Sequence, residues 1–252
     1  MLERLDQIAA SATGGDSKFT LEEALASYSG MGYRKFELYS TGRGAALNMS
    51  LGLNYYREMA AKYNITYSSL HVAPVAEDLG ETFEHAVKCA CFAEELGITP
   101  IVFNASAKAH YAKALKKFLQ ATEGHSFNPV IQIHVGRAVD SLSEVKELIA
   151  SIDDPRLGVL HEVGSYHELG FGWKDVFDTF GDKIKLVHLK DMIGSQCVPF
   201  GTGEIDIPAL FRYFDSKGYT GNYVCEMNPK DKENTNKYFR EGLEYIKQNC
   251  IF

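Results

Sequence analysis

The chain has 252 residues, 45% of them hydrophobic and 23% charged, the composition of an ordinary globular protein and not of a disordered or fibrous one. Twenty-six lysines and arginines stand against 33 aspartates and glutamates, a net charge of −7 that opposes a broad electrostatic grip on nucleic acid or anionic lipid. No apolar run approaches the ~20 residues that span a bilayer, so a membrane partner is not expected either.

The start, Met1-Leu2-Glu3-Arg4-Leu5-Asp6, lacks the basic head and apolar core of a signal peptide. The five cysteines have no CxxC spacing and read as reduced thiols, so the expected location is cytoplasmic. Along the chain, short β-branched and aromatic runs alternate with longer amphipathic stretches. In order, the patterns predict strand Gln7–Ala12, helix Thr20–Met31, strand Lys35–Tyr39, helix Leu51–Tyr63, strand Tyr67–His71 and helix Glu77–Leu96. They continue with strand Ile101–Asn104, helix Ala109–Thr122, strand Val130–Val135, helix Ser141–Ile152 and strand Leu157–Glu162. Helix Trp173–Phe180, strand Ile184–Lys190, helix Pro208–Ser216, strand Asn222–Glu226 and helix Asn234–Gln248 complete the series. Start and stop signals agree: Ser141-Leu142-Ser143-Glu144 is a capping box, Pro208 suits a first helical turn, and Gly32, Gly97 and Gly218 follow helix ends. Eight βα units in this length predict a single (β/α)8 TIM barrel over residues 1–252, in preference to an open doubly wound sheet.

In such a barrel chemistry belongs at the C-terminal ends of the strands. Six predicted strands end on an ionisable residue: Glu37, His71, His134, the pair His161-Glu162, His188 and Glu226. Ionisable groups placed directly after apolar runs are costly unless paired or bound to a metal, and convergence at one mouth explains them together. Imidazoles and carboxylates at this density suit one divalent first-row metal ion, manganese first, with zinc, cobalt or iron as alternatives. On strand six the two-residue alternation sends His161 and Glu162 to opposite faces, so one of them enters the mouth. His85, His110 and His125 lie on helices or in a loop and read as structural.

The segments Ile184-Lys185-Leu186-Val187-His188-Leu189-Lys190-Asp191, Gly201-Thr202-Gly203-Glu204-Ile205-Asp206 and Gly218-Tyr219-Thr220-Gly221 leading to Glu226 resemble the xylose isomerase-like TIM barrels. That family includes sugar isomerases, ketose 3-epimerases, inosose dehydratases and endonuclease IV-type enzymes. The resemblance implies a metal held by a Glu on strand five, an Asp on strand six, a His on strand seven and a Glu on strand eight. His188 and Glu226 match; Glu162 stands at the Asp position and His134 at the strand-five Glu position. The implied shell is His134, Glu162, His188 and Glu226. The chain departs from the epimerase pattern in three places. It keeps one of the two facing glutamates, has Ser165 where a histidine is expected, and has Gly194 where an arginine is common.

The expected activity is a metal-dependent sugar isomerase or epimerase that removes a proton beside a carbonyl and passes through an enediolate. A lyase or dehydratase acting on a keto-sugar, keto-glycoside or cyclitol is the first alternative. A non-catalytic sugar-binding barrel or enzyme-complex subunit is the second. Glu226, Lys190, Glu37 and His167 are the acid/base candidates, and His71, Trp173 and Phe171 the substrate-binding ones. The partner is a small sugar or cyclitol, with no nucleic acid and no membrane, and a homo-oligomer is compatible with this. The loops Val163–Gly172 and Met192–Ile207 are long enough to form lids.

Overall fold

The computed structural model describes residues 2–12, 19–42, 45–228 and 230–251. Eight parallel strands close into a barrel: β1 (Ile8–Ser11), β2 (Lys35–Tyr39), β3 (Thr66–His71), β4 (Pro100–Phe103), β5 (Asn128–Gln132), β6 (Gly158–Glu162), β7 (Ile184–Leu189) and β8 (Asn222–Cys225). Each strand pairs with its neighbours in chain order, and β8 returns to β1 with Ala9 opposite Val224. The expected (β/α)8 architecture is therefore the observed one.

The barrel interior is filled by Ala9, Val102, Val130, Leu160, Leu186 and Val224, each fully buried. This separate cluster sets the parity of the six strands that contribute to it, β1 and β4 to β8. Two residues further along, the same inward face carries Gln132, Glu162, His188 and Glu226. A second and larger core lies between the strands and the surrounding helices, with Tyr28, Phe36, Phe118, Phe214 and Phe239 among its buried rings. Because each layer packs at crystal-like density, truncating Leu160 to Ala should cost about 2–5 kcal/mol.

The helices form where their caps and periodicity predict. Thr20 caps helix Leu21–Met31 in a complete capping box with Glu23, and Gly32 ends that helix at φ 103°, a conformation that favours glycine. Ser141 caps helix Leu142–Ser151 through Glu144 N–H. Helices Gly52–Tyr63, Glu81–Glu94, Lys108–Ala121, Trp173–Phe180, Ile207–Ser216 and Thr235–Asn249 complete the ring. Among the described residues, no helix is long and apolar enough to cross a membrane.

Two expected lids are ordered differently. A short helix, Val163–Glu168, follows β6 directly, and residues 191–198 form an antiparallel hairpin, Asp191–Ile193 with Gln196–Val198. The hairpin and the segment after it are knotted around Asp191, which is fully buried. Its carboxylate accepts from the backbone N–H groups of Met192 (2.9 Å), Gly201 (2.8 Å), Gly203 (2.9 Å) and Ile205 (3.2 Å). A Cβ on Gly203 would stand 2.1 Å from Asp191 Oδ1, so only glycine fits. Asp206 then caps helix Ile207–Ser216 by accepting from Ala209 N–H at 2.9 Å. The segments His188-Leu189-Lys190-Asp191 and Gly201-Thr202-Gly203-Glu204-Ile205-Asp206 thus include an architectural device that fixes the chain next to Lys190.

Candidate active site

The C-terminal mouth of the barrel opens into a cavity of about 690 Å³. Its lining includes Tyr39, His71, Asn104, Gln132, His134, Arg137 and Glu226. Below them lies a connected cluster of charged side chains.

His188 is its centre and is fully buried. Its Nδ1 lies 3.0 Å from Glu162 Oε2 and 2.8 Å from Glu226 Oε2, while its Nε2 lies 2.9 Å from Glu37 Oε2. Lys190 Nζ sits 3.0 Å from both Glu162 Oε1 and Glu226 Oε2. Burial disfavours every one of these charges, and their mutual pairing outweighs it. Thus burial would raise the Glu226 and Glu162 carboxyls, but Lys190 and His188 hold both below the usual range. Burial would likewise deprotonate His188 and Lys190, yet the surrounding glutamates raise both.

Glu37, on β2, closes the other side of His188. Its Oε2 also accepts from Ser69 Oγ at 2.7 Å, its Oε1 from Tyr39 hydroxyl at 3.2 Å, and His71 Nε2 makes a charge contact at 3.2 Å. The His71 ring stacks on Tyr39 at 4.4 Å. Burial would raise the Glu37 carboxyl, but His188 and His71 hold it well below the ordinary value. Being wholly buried and so occupied, Glu37 meets the cavity through His71 and not directly, which makes it a poor direct base.

The structure separates the other expected site residues. Glu162 faces inward and His161 outward, where its Nε2 lies 3.0 Å from the Trp173 carbonyl and its ring packs on Phe214. Burial holds the His161 pKa down at about 4, so it is a neutral core residue. Strand β5 ends at Gln132, not at Val135, because the chain turns and His134 N–H donates to the Val139 carbonyl instead of a neighbouring strand. The inward strand-five position beside Glu162 therefore belongs to Gln132, whose Nε2 lies 3.2 Å from Glu162 Oε2. His134 stands one step outward, with Nε2 3.2 Å from Gln132 Nε2 and Nδ1 3.2 Å from Ser165 Oγ. Burial lowers its pKa despite the pull of Glu162. Gln132 was not singled out by the sequence, although counting in twos from the inward Val130 reaches it.

His167 pairs with Glu204 at 2.9 Å and does not line the cavity. Phe171 and Trp173 also stay away from it, packing partly buried against the helix-side core, with Trp173 on Tyr213 at 5.8 Å. Of the aromatic residues near the loops, Tyr39 is the one that reaches the cavity.

Among the described residues, two groups of donor atoms lie within 4.8 Å of one another: Glu162 with His188 and Glu226, and Glu37 with His71 and His188. The first joins two carboxylates to an imidazole, a charge of −2 that fits one divalent cation. His134 belongs to neither group.

The family model for xylose isomerase-like TIM barrels matches residues 25–249. The chain belongs to this family. An inosose dehydratase of Geobacillus thermodenitrificans is 25% identical over 144 residues, covering 49% of this chain and 48% of that enzyme. The match therefore spans about half the length of this curated relative. Among solved structures, the 3-keto-D-glucoside 4-epimerase of E. coli superposes with a TM-score of 0.80 at 13% identity, covering 96% of this chain and 99% of the other. A zinc-bearing IolI protein superposes with a TM-score of 0.79 at 14% identity, covering 97% and 98%. At these identities the structural likeness establishes the fold. The family's relatives include both epimerases and dehydratases.

Proposed function

We propose that this chain is a divalent-metal-dependent dehydratase of keto-cyclitols or keto-sugars. The observation that carries the reading is Gln132 at the inward position of β5, beside Glu162. An amide cannot exchange a carbon-bound proton. Two-sided transfer, which inverts a carbon, is best served by a second acid/base group at that position; elimination needs one base and one acid at different atoms. The inosose dehydratase relatives support the same choice.

Glu226 is the base. It lines the cavity, its contacts to His188 and Lys190 both use Oε2, and the Lys190 ammonium keeps it ionised. It takes the proton from the carbon beside the substrate carbonyl, and the C–H electron pair passes into an enolate. A divalent ion held by Glu162, His188 and Glu226 would supply Lewis acidity at the carbonyl oxygen. The enolate pair then forms the C=C bond as the β-hydroxyl leaves, taking a proton from His71. The products are a conjugated enone and water, and the proton on Glu226 returns to His71 through cavity water. Glu37 holds His71 and His188 in place for this, and Lys190 serves as a counter-ion, since its paired ammonium is too strongly held to act as base.

The test is incubation of the metal-reconstituted protein in D2O with inosose and a panel of keto-sugars. The expected result is metal-dependent appearance of enone absorbance. Deuterium uptake or isomer formation without enone would assign the isomerase or epimerase chemistry instead. No metal-dependent change across the panel would leave the barrel a sugar-binding or subunit protein.

A further inference from the structure

We infer that Cys91, His125 and Glu94 form a base-assisted thiol site on the face of the barrel opposite the cavity, where Cys91 exchanges with low-molecular-weight disulfides of the glutathione kind.

Three contacts in a line carry the inference. Cys91 and Glu94 lie three residues apart in the last turn of helix Glu81–Glu94, so they share one side of it. His125 reaches them from the turn after helix Lys108–Ala121, where its ring also packs on Phe127 at 5.6 Å. Its Nε2 stands 3.4 Å from Cys91 Sγ and its Nδ1 2.5 Å from Glu94 Oε2. The other carboxylate oxygen, Oε1, accepts from the Ser126 backbone N–H at 2.6 Å and the Ser126 hydroxyl at 2.7 Å. The carboxylate is an acceptor only, so His125 Nδ1 carries the proton and Nε2 is left to accept from the thiol. A nucleophile, a base and a third group that orients the base, each in hydrogen-bond reach of the next, is the arrangement that activates a weak nucleophile.

The thiol needs that base. Burial and the nearby Glu94 charge raise the Cys91 thiol above its ordinary range, so it rests as the neutral, unreactive form. Cys91 is nevertheless partly exposed and the His125 side chain is 35% exposed, which lets a small disulfide approach. On attack, the Sγ–H proton passes to His125 Nε2, and the sulfur pair forms a bond to one sulfur of the disulfide. The old S–S bond breaks, and the departing thiolate takes the proton from Nε2. The products are one mixed disulfide on Cys91 and one free thiol. The other cysteines lack this combination. Cys89, Cys225 and Cys250 are fully buried, and His85 stands 3.6 and 3.7 Å from Cys89 Sγ through both ring nitrogens, with no carboxylate to orient it among the described residues. Cys197 is partly exposed but has no imidazole in hydrogen-bond reach among the described residues.

The experiment exposes the whole, reduced protein to oxidised glutathione and follows the rate and position of the adduct by mass spectrometry of the intact chain and its peptides. One glutathione should add first at Cys91, and Cys91→Ser should remove that phase. His125→Ala and His125→Gln should each slow it at least about tenfold, the second while keeping a donor to Glu94, and Glu94→Gln should slow it less. Added imidazole should restore the rate in His125→Ala, which a merely structural role for the ring would not allow. If glutathione adds first at Cys197, if both His125 variants react at the wild-type rate, or if imidazole brings no recovery, the inference is overturned.

Discussion

Replacing Asp191 tests whether its motif holds the mouth of the barrel together. The carboxylate receives two backbone N–H groups on each oxygen, Met192 and Ile205 at Oδ1 and Gly201 and Gly203 at Oδ2. Asp191→Asn keeps the shape but turns one oxygen into a donor, which strands either the buried N–H groups of Met192 and Ile205 or the partly exposed ones of Gly201 and Gly203. Each stranded group costs about 1–3 kcal/mol, and the two surviving bonds lose their charge assistance, so the expected loss is about 3–5 kcal/mol. Asp191→Ala strands all four, partly relieved by entering water, for about 4–6 kcal/mol. Gly203→Ala attacks the same knot by placing a Cβ 2.1 Å from Oδ1 and 2.6 Å from Cγ. It should cost about 3 kcal/mol, within the range of buried overpacking. Since both changes break one set of bonds, the double variant should be more stable than the sum of the two losses by at least about 1 kcal/mol. Equilibrium urea unfolding measures all of this as shifts in midpoint at constant slope. An Asp191→Asn protein within about 1 kcal/mol of the parent, or strict additivity with Gly203→Ala, would refute the reasoning.

Glu226→Gln should reduce turnover by at least about 10²-fold, the usual scale of a lost general base, and should abolish solvent deuterium uptake by the substrate; a variant that still exchanges deuterium has another base. His161→Ala should destabilise the fold by about 2–4 kcal/mol through its contacts with Phe214 and Tyr166 while Co2+ stoichiometry stays at the wild-type value, whereas Glu162→Ala should lose the ion. At the opposite face, the Glu94 carboxyl is held down at about 2, chiefly by His125, with burial opposing and Ser126 assisting. A depressed carboxyl contributes stability that is complete above the unfolded pKa near 4.5 and is lost as pH falls toward about 2. Glu94→Gln should therefore cost about 1 kcal/mol at pH 7, after allowance for its surface position, and the gap to wild type in thermal melts should close by about pH 2.

The alternation of β-branched strands and capped amphipathic helices was enough to determine the (β/α)8 class, because each signal is local. Two-residue parity, nearest-neighbour caps and glycine stops do not depend on distant partners. The same locality made Glu37, His71, Glu162, His188 and Glu226 visible as polar residues ending apolar runs. Strand ends were different. Val130-Ile131-Gln132-Ile133 reads as one continuous apolar run to His134, yet pairing stops at Ile131 with β4 and at Gln132 with β6, and it is pairing that decides which residue belongs to the mouth. The roles of Phe171, Trp173 and His167 also depended on where helices Val163–Glu168 and Trp173–Phe180 pack, which no local pattern encodes. Tertiary structure alone brought Glu37 of β2 against His188 of β7, 151 residues apart, and joined Glu162, His188 and Glu226 to it in one buried charge network that leaves out His134. A charge that far along the chain becomes a neighbour only when the barrel closes, and only then do burial and pairing set its protonation.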